Sequence, residues 1–264
     1  MGGITDATRA LVGFSVESAK FFNQLQLSRK ALANTVETTQ EYKAALQGLR
    51  GVSQDFLVPI DEATSQFTKL NAAARASGFT VEEVTEVYRG LAAANTALGG
   101  NSERLQGILL ATQQVFSKGK VQAEELRGQI GERLPGAFAK FAKATGRSTS
   151  ELDKALEKGE VGLKEFVVFA KSLLNEYEED AKKLAKEPEN SAERLKRAMD
   201  NLKEAMGPIV RGIMNLFNEL AASVVNSLAT VVQAIQNVQL QGQIAIVNAR
   251  RKDVQDRVKS VNEA

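Results

Sequence analysis

The sequence predicts an all-α protein, with a compact multi-helix middle domain flanked by long helices and a C-terminal helix carrying coiled-coil heptads. Three observations carry that expectation. Apolar residues recur at helical spacing through most of the 264 residues, and no stretch sustains the period-two alternation of β-branched residues that a sheet needs. Capping patterns and glycine stops divide the middle of the chain into short segments. Aromatic residues make only 6% and tryptophan is absent, which suits helices packed through alanine, leucine and valine.

Four sections follow in order. Residues 1–54 form an N-terminal long helical segment, rich in strong helix formers. Leu25, Leu32, Val36 and Leu46 lie close to one face, and the segment reads as one helix or as two parted near Gly13. Residues 55–177 form the compact domain. After Pro59, the residues Ile60, Phe67, Leu70 and Ala74 share a face that ends at Gly78. Thr80-Val81-Glu82-Glu83 is a capping box opening a helix with Val84, Val87, Tyr88 and Leu91 on one stripe. Asn101 caps a helix carrying Leu105, Ile108, Leu109, Thr112 and Phe116. Ala137 to Thr145 is a short helix with Phe138 and Phe141, and Ser148-Thr149-Ser150-Glu151 is a second capping box ahead of Leu152 and Leu156. A longer helix from Leu163 turns Phe166, Phe169, Ala170, Leu173 and Tyr177 inward. Each is too short to persist alone in water, so they must pack on one another.

Residues 178–206 read as a charged helical linker with a capping pattern at Asn190-Ser191-Ala192-Glu193 and a narrow apolar stripe of Leu195, Ala198, Leu202 and Ala205. Residues 207–264 hold the apolar coiled-coil helix. Val210, Met214, Phe217, Ala221, Val224, Leu228, Val231, Ile235 and Val238 repeat at alternating steps of four and three, which is a heptad seam. A second apolar row includes Ile213, Leu216 and Leu220. β-Branched residues at the d positions favour trimers or larger assemblies over parallel dimers. A new phase, from Leu240 to Val261, marks a discontinuity in the supercoil.

Composition excludes much chemistry. Cysteine and histidine are both absent, which removes thiolate chemistry, histidine-based triads and the common zinc sites. A net charge of +2 gives no electrostatic case for nucleic-acid binding, sequence-specific or otherwise. The residues Met1 to Asp6 lack a basic region followed by an apolar core, so no secretory signal is read there. The glycines at Gly99-Gly100 and from Gly159 to Gly162 lack the lysine-serine or lysine-threonine ending of a phosphate loop and read as helix stops. Glu124, Glu125 and Glu132 read as a solvated helix face and not as a glycosidase pair. No enzyme and no cofactor are expected.

The most specific stretch is Leu126-Arg127-Gly128-Gln129-Ile130-Gly131-Glu132-Arg133-Leu134-Pro135-Gly136. It starts as a helix, with Leu126 and Ile130 on one face, and stops where Pro135 restricts Leu134 and removes a donor. Leu126, Ile130 and Leu134 are expected in a core, with Pro135-Gly136 as a turn. Arg127, Glu132 and Arg133 are the competing candidates for partner contacts. This segment resembles the central signature of phage tail tape measure proteins. "FTKLNAAARASGFTVEEVTEVYRGLAAANTALGG" at 67–100, "ILLATQQVFSKGKVQAEELRGQIGERLPGAFAKFAKATG" at 108–146 and "STSELDKALEKGEVGLKEFV" at 148–167 resemble the family's blocks in the family's order.

The resemblance implies a structural protein of the virion that occupies the tail tube lumen, sets tail length during assembly and is released at DNA ejection. Its implied partners are the tail tube protein, tail-tip and baseplate proteins, tail assembly chaperones and the terminator, with a stay in the host cytoplasm during assembly. Most members are much longer. A fully helical chain of this size spans at most about 400 Å, so the tail is very short, the chain is a piece of a longer ruler, or its geometry is different. An alternative function is a membrane-perturbing helix from Ile209 to Val238 that helps DNA cross the host envelope. Against it stand Arg211, Asn218, Glu219, Asn226, Gln233 and Gln236 in that run. The family signature residues are therefore Leu126, Arg127, Gly128, Ile130, Leu134, Pro135 and Gly136. Self-association, as a trimer or higher, is expected along Val210, Met214, Phe217, Val224, Leu228, Val231, Ile235 and Val238.

Overall fold

A computed structural model describes residues 2–187 and 191–262, and the all-α expectation holds: among these residues the only β-type pairing is an isolated bridge between Lys120 and Gly162. The chain divides into two units, Met1–Pro208 and Ile209–Ala264.

In the first unit, α1 (Gly2–Ala33) and α2 (Thr39–Phe56) are separate helices. The break falls at residues 34–38 and not near Gly13, which lies inside α1. The cause is local. Asn34 and Thr35 donate back to the carbonyls of Ala31 and Leu32, which closes α1, and Thr38 then caps α2 by accepting from the Glu41 amide at 3.1 Å. Glu41 reciprocates toward the Glu37 amide at 2.7 Å. Thr38-Thr39-Gln40-Glu41 carries the threonine-to-glutamate spacing of a helix start, so this signal was present in the sequence.

Next come α3 (Ile60–Ala76), α4 (Val81–Ala97) and α5 (Ser102–Lys118), then α6 (Ala137–Ala144), α7 (Thr149–Glu157) and α8 (Leu163–Leu184). Both capping boxes form, at Thr80 with Glu83 and at Ser148 with Glu151, and Asn101 caps α5. The Ser148 amide and hydroxyl hold the Glu151 carboxyl below its ordinary range. Such caps are each worth about 0.5–2 kcal/mol, which fixes where each short helix begins.

α4 is the hub of the unit. It packs on α2, α3, α5 and, most extensively, α8. Its C-terminal half is buried on every side, including Gly90, Leu91, Ala92, Ala93, Ala94, Asn95 and Thr96. Leu91 to Ala94 leave that half of the helix without a charged face, and such a stretch belongs in an interior. Close approach to α8 depends on Gly90, where an added Cβ would overlap the Ala170 carbonyl. Beside this seam, Phe116, Phe141, Phe166 and Phe169 form an aromatic cluster with centroids 5.1–6.4 Å apart. Burial also pushes the Tyr88 phenol up from its ordinary range, and its hydroxyl donates to Gln66 at 3.0 Å.

α9 (Ser191–Asn262) begins in the first unit and contains Pro208. The apolar stripe of Leu195, Ala198, Leu202 and Ala205 faces solvent. All four residues are exposed, Leu195 at 64%. The polar face packs instead. Arg197 donates to the carbonyls of Ser53 and Gln54 at the end of α2, at 2.7 and 3.0 Å, and Glu204 accepts from Arg29 of α1 at 2.7 Å. Gly207 sits against the Phe22 ring with no room for a Cβ. The physical reason is the surface available: the ends of α1 and α2 offer carbonyls and charges, so donors and charges are what dock there. The capping pattern expected at Asn190 lies outside the described residues.

The second unit, by itself, is the continuation of that helix. Ile209–Asn262 spans about 80 Å at 1.5 Å per residue. Among its described residues, Ile209, Leu216, Leu220 and Val225 are all above 60% exposed, whereas Val210 is buried.

Candidate functional site

The signature stretch is built on a π-helix, Glu124–Ile130, and not on an α-turn. π-Helical segments are rare and concentrate at functional positions. The wider turn still carries Leu126 and Ile130 into the core, each fully buried, followed by Leu134 at 2% exposure. The chain then turns. Leu134 donates to the Ile130 carbonyl at 2.7 Å, Pro135 and Gly136 are exposed, and Gly136 adopts a left-handed φ of 78° that starts α6. A side chain with a Cβ is strained at that angle. The approach to the π-helix is pinned by Val121, whose amide donates to the Val161 carbonyl at 3.0 Å.

Arg127 is exposed and lies over the Phe138 ring at 4.0 Å while pairing with Asp153 of α7. It therefore ties the π-helix to α6 and α7. Arg133 folds back, donating to the Gln129 carbonyl at 2.8 Å and covering Gly107, where a Cβ would overlap its side chain. Glu132 is exposed. Nothing in the structure explains Gly128, whose added Cβ would meet open space.

Two residues of the segment were missed by sequence reasoning. Glu125 is not on a solvated face; its side chain is fully buried. One carboxylate oxygen accepts from Lys118 of α5, and the other has no hydrogen-bond partner. That hydrogen bond raises the Lys118 ammonium above its ordinary range. No helical-wheel argument finds Glu125, because the π-turn shifts every later position around the axis. Gly131 closes the π-helix, where an added Cβ would run into the Arg127 carbonyl. Its glycine is the one residue-level trace of that geometry in the sequence.

Of the expected self-association seam, Val224, Leu228 and Val231 are 55–60% exposed, whereas Val210 is buried at 7%. The side chains of Met214, Phe217, Ala221, Ile235 and Val238, and those of the second phase from Leu240 to Val261, lie outside the described residues. No group of three or more histidine, cysteine, aspartate or glutamate side chains placed to hold a metal occurs among the described residues. Nor, among these, is any helix long and apolar enough to cross a membrane.

Comparison with known proteins gives a consistent result. Residues 17–215 match the family described as "Tape measure protein". A "Probable tape measure protein" of Salmonella phage Felix O1 (isolate Felix O1-VT1) is 35% identical over 165 residues, covering 58% of this chain and 22% of that protein. The chain thus spans only about a fifth of the length of that relative. No solved structure matches.

Proposed function

This chain belongs to the tape measure protein family, and from that premise we propose that it serves as a structural component of a phage or prophage tail. In this reading it occupies the tail tube lumen, sets tail length during assembly and leaves the tube at DNA ejection. Tail tube protein, tail-tip or baseplate proteins and tail assembly chaperones are its partners, and copies of itself associate along the C-terminal helix. The observation that carries the reading is the family match over residues 17–215.

The two units suit different parts of that role. A long helix converts residue count into distance at a fixed rise, which is what a ruler requires. The second unit offers about 80 Å of it. A compact helical unit gives little length per residue, so the signature region contributes a folded body and not ruler length. Exposed apolar side chains on the helix call for a covering partner, because contiguous patches of this kind are uncommon on isolated soluble chains.

Tail length is the test. Removing 28 residues, four heptads, from the second unit in the phage that encodes this chain is expected to shorten tails by about 42 Å in electron micrographs. Tails of unchanged length would overturn the ruler role.

A further inference from the structure

We propose that the first unit carries a binding site for an acidic peptide segment of a partner protein, in an arginine-lined groove where the start of α9 lies on α1 and α2. The groove has two parts. One, of about 390 Å³, is lined by Arg194 and Arg197 and by Ser53 and Gln54 of α2. The other, of about 380 Å³, is lined by Phe22 and Arg29 of α1. Arg50, Asn201 and Glu204 line both, so the two adjoin. Spaces of this size hold a few side chains. The site belongs to the packing of the first unit and stands apart from the length-setting role.

The lining is positive after the fold has made its own pairs. Four guanidinium groups, Arg29, Arg50, Arg194 and Arg197, share it with one carboxylate, Glu204, which leaves three positive charges. Asp61, Glu62 and Asp200 lie off this lining, with Lys196 at 4.0 Å from Glu62 and Lys203 at 3.8 Å from Asp200. The docking of α9 uses only part of each arginine. Arg197 donates from Nη1 to the carbonyls of Ser53 and Gln54, and its Nε is buried with no partner among the described residues. Arg29 donates from Nη2 to Glu204 at 2.7 Å, and its Nε is likewise buried and unpartnered among them. Arg50 comes no closer to Glu204 than 3.9 Å, beyond hydrogen-bond reach, and is 61% exposed. Burial and the neighbouring Arg194 push the Arg197 guanidinium below its ordinary range, which is the mark of cations crowded without enough carboxylate.

Glu204 shows the chemistry that fits. A carboxylate already sits on Arg29, and guanidinium groups take carboxylates through planar, two-point bonding. Glu204 also selects among anions. A nucleic-acid strand carries a phosphate at every residue and brings one against Glu204 wherever it lies along the groove. A peptide can space its acids around that residue. The apolar members of the lining, Phe22, Ile60 and Ala198, suit the methylene stems of glutamate side chains.

Arg29 and Arg197 also hold α9 in place, so the test falls on Arg50 and Arg194, whose side chains are exposed. Fluorescence anisotropy of a labelled hexaglutamate peptide titrated with the full chain should show binding that weakens as salt rises. Arg50→Gln and Arg194→Gln should each weaken it by about three- to fivefold, and the double variant by about tenfold. Lys143→Gln on α6, the same change of charge away from the groove, should leave affinity within about twofold. Glu204→Gln should tighten binding by about threefold, because it keeps an acceptor for Arg29 and removes the competing charge. Absence of peptide binding, or equal losses from the groove variants and from Lys143→Gln, would overturn the site. Tighter binding of an oligothymidylate, lost in the same variants, would make the occupant a nucleic acid and the acidic-peptide proposal wrong.

Discussion

α4 and the helix of the second unit are both rich in aliphatic residues, yet they meet opposite fates. In α4, Leu91 and Val87 are fully buried; in the second unit, Leu220 and Val225 are each 63% exposed. The difference is not hydrophobicity but company. α4 is wrapped by four neighbouring helices, and Gly90 lets one of them, α8, come into backbone contact. The second unit holds one helix and offers its apolar residues nothing within itself. An apolar stripe states that a helix needs a partner. It does not say whether the partner belongs to the same chain.

The contrast predicts large effects in one region and small ones in the other. Phe166→Ala, in the aromatic cluster, should cost about 3–5 kcal/mol in urea unfolding of the full chain, since it empties a fully buried site. A loss below about 1 kcal/mol would mean that the first unit is not a packed core. Gly90→Ala should cost about 1–3 kcal/mol by forcing α4 away from α8.

Asp200 gives a pH test of the polar docking of α9. Burial, with Asp61 nearby, raises its carboxyl above the ordinary range. A raised acid pKa means that the folded state binds the proton more tightly. Its contribution is therefore fully present below the ordinary aspartate range and is lost as pH rises through the folded value. Asp200→Asn should stabilise the chain at pH 7 and change nothing near pH 3, as read by thermal unfolding at both pH values. The smallest effect belongs to Leu216→Ala. It should shift stability by less than about 0.5 kcal/mol in dilute solution, because the side chain is 61% exposed, while weakening association at high concentration.

Much of the first unit was legible in the sequence because its signals are local. The threonine, serine and asparagine caps at Thr80, Ser148 and Asn101 act within one turn, and the stripes through Phe67, Tyr88, Phe116 and Phe166 all reach the core. The misses have physical causes. The break between α1 and α2 was hidden by good helix formers on both sides, although Thr38 and Glu41 mark it. The π-helix defeats a wheel drawn at 3.6 residues per turn, so Glu125 was assigned to solvent. In α9, periodicity finds the apolar stripe but carries no sign that the polar face docks, held by Arg197 and Glu204.

The central claim is that α4 is complete in its packing within the first unit, while the exposed apolar residues of the second unit, in the function proposed above, meet another copy. Hydrogen exchange of the full chain across a concentration series, read by mass spectrometry, tests it most directly. Amides of α4 should keep the same protection at every concentration, and those of residues 209–231 should gain protection as concentration rises. Protection of residues 209–231 that is already complete at the lowest concentration, and constant thereafter, would contradict it.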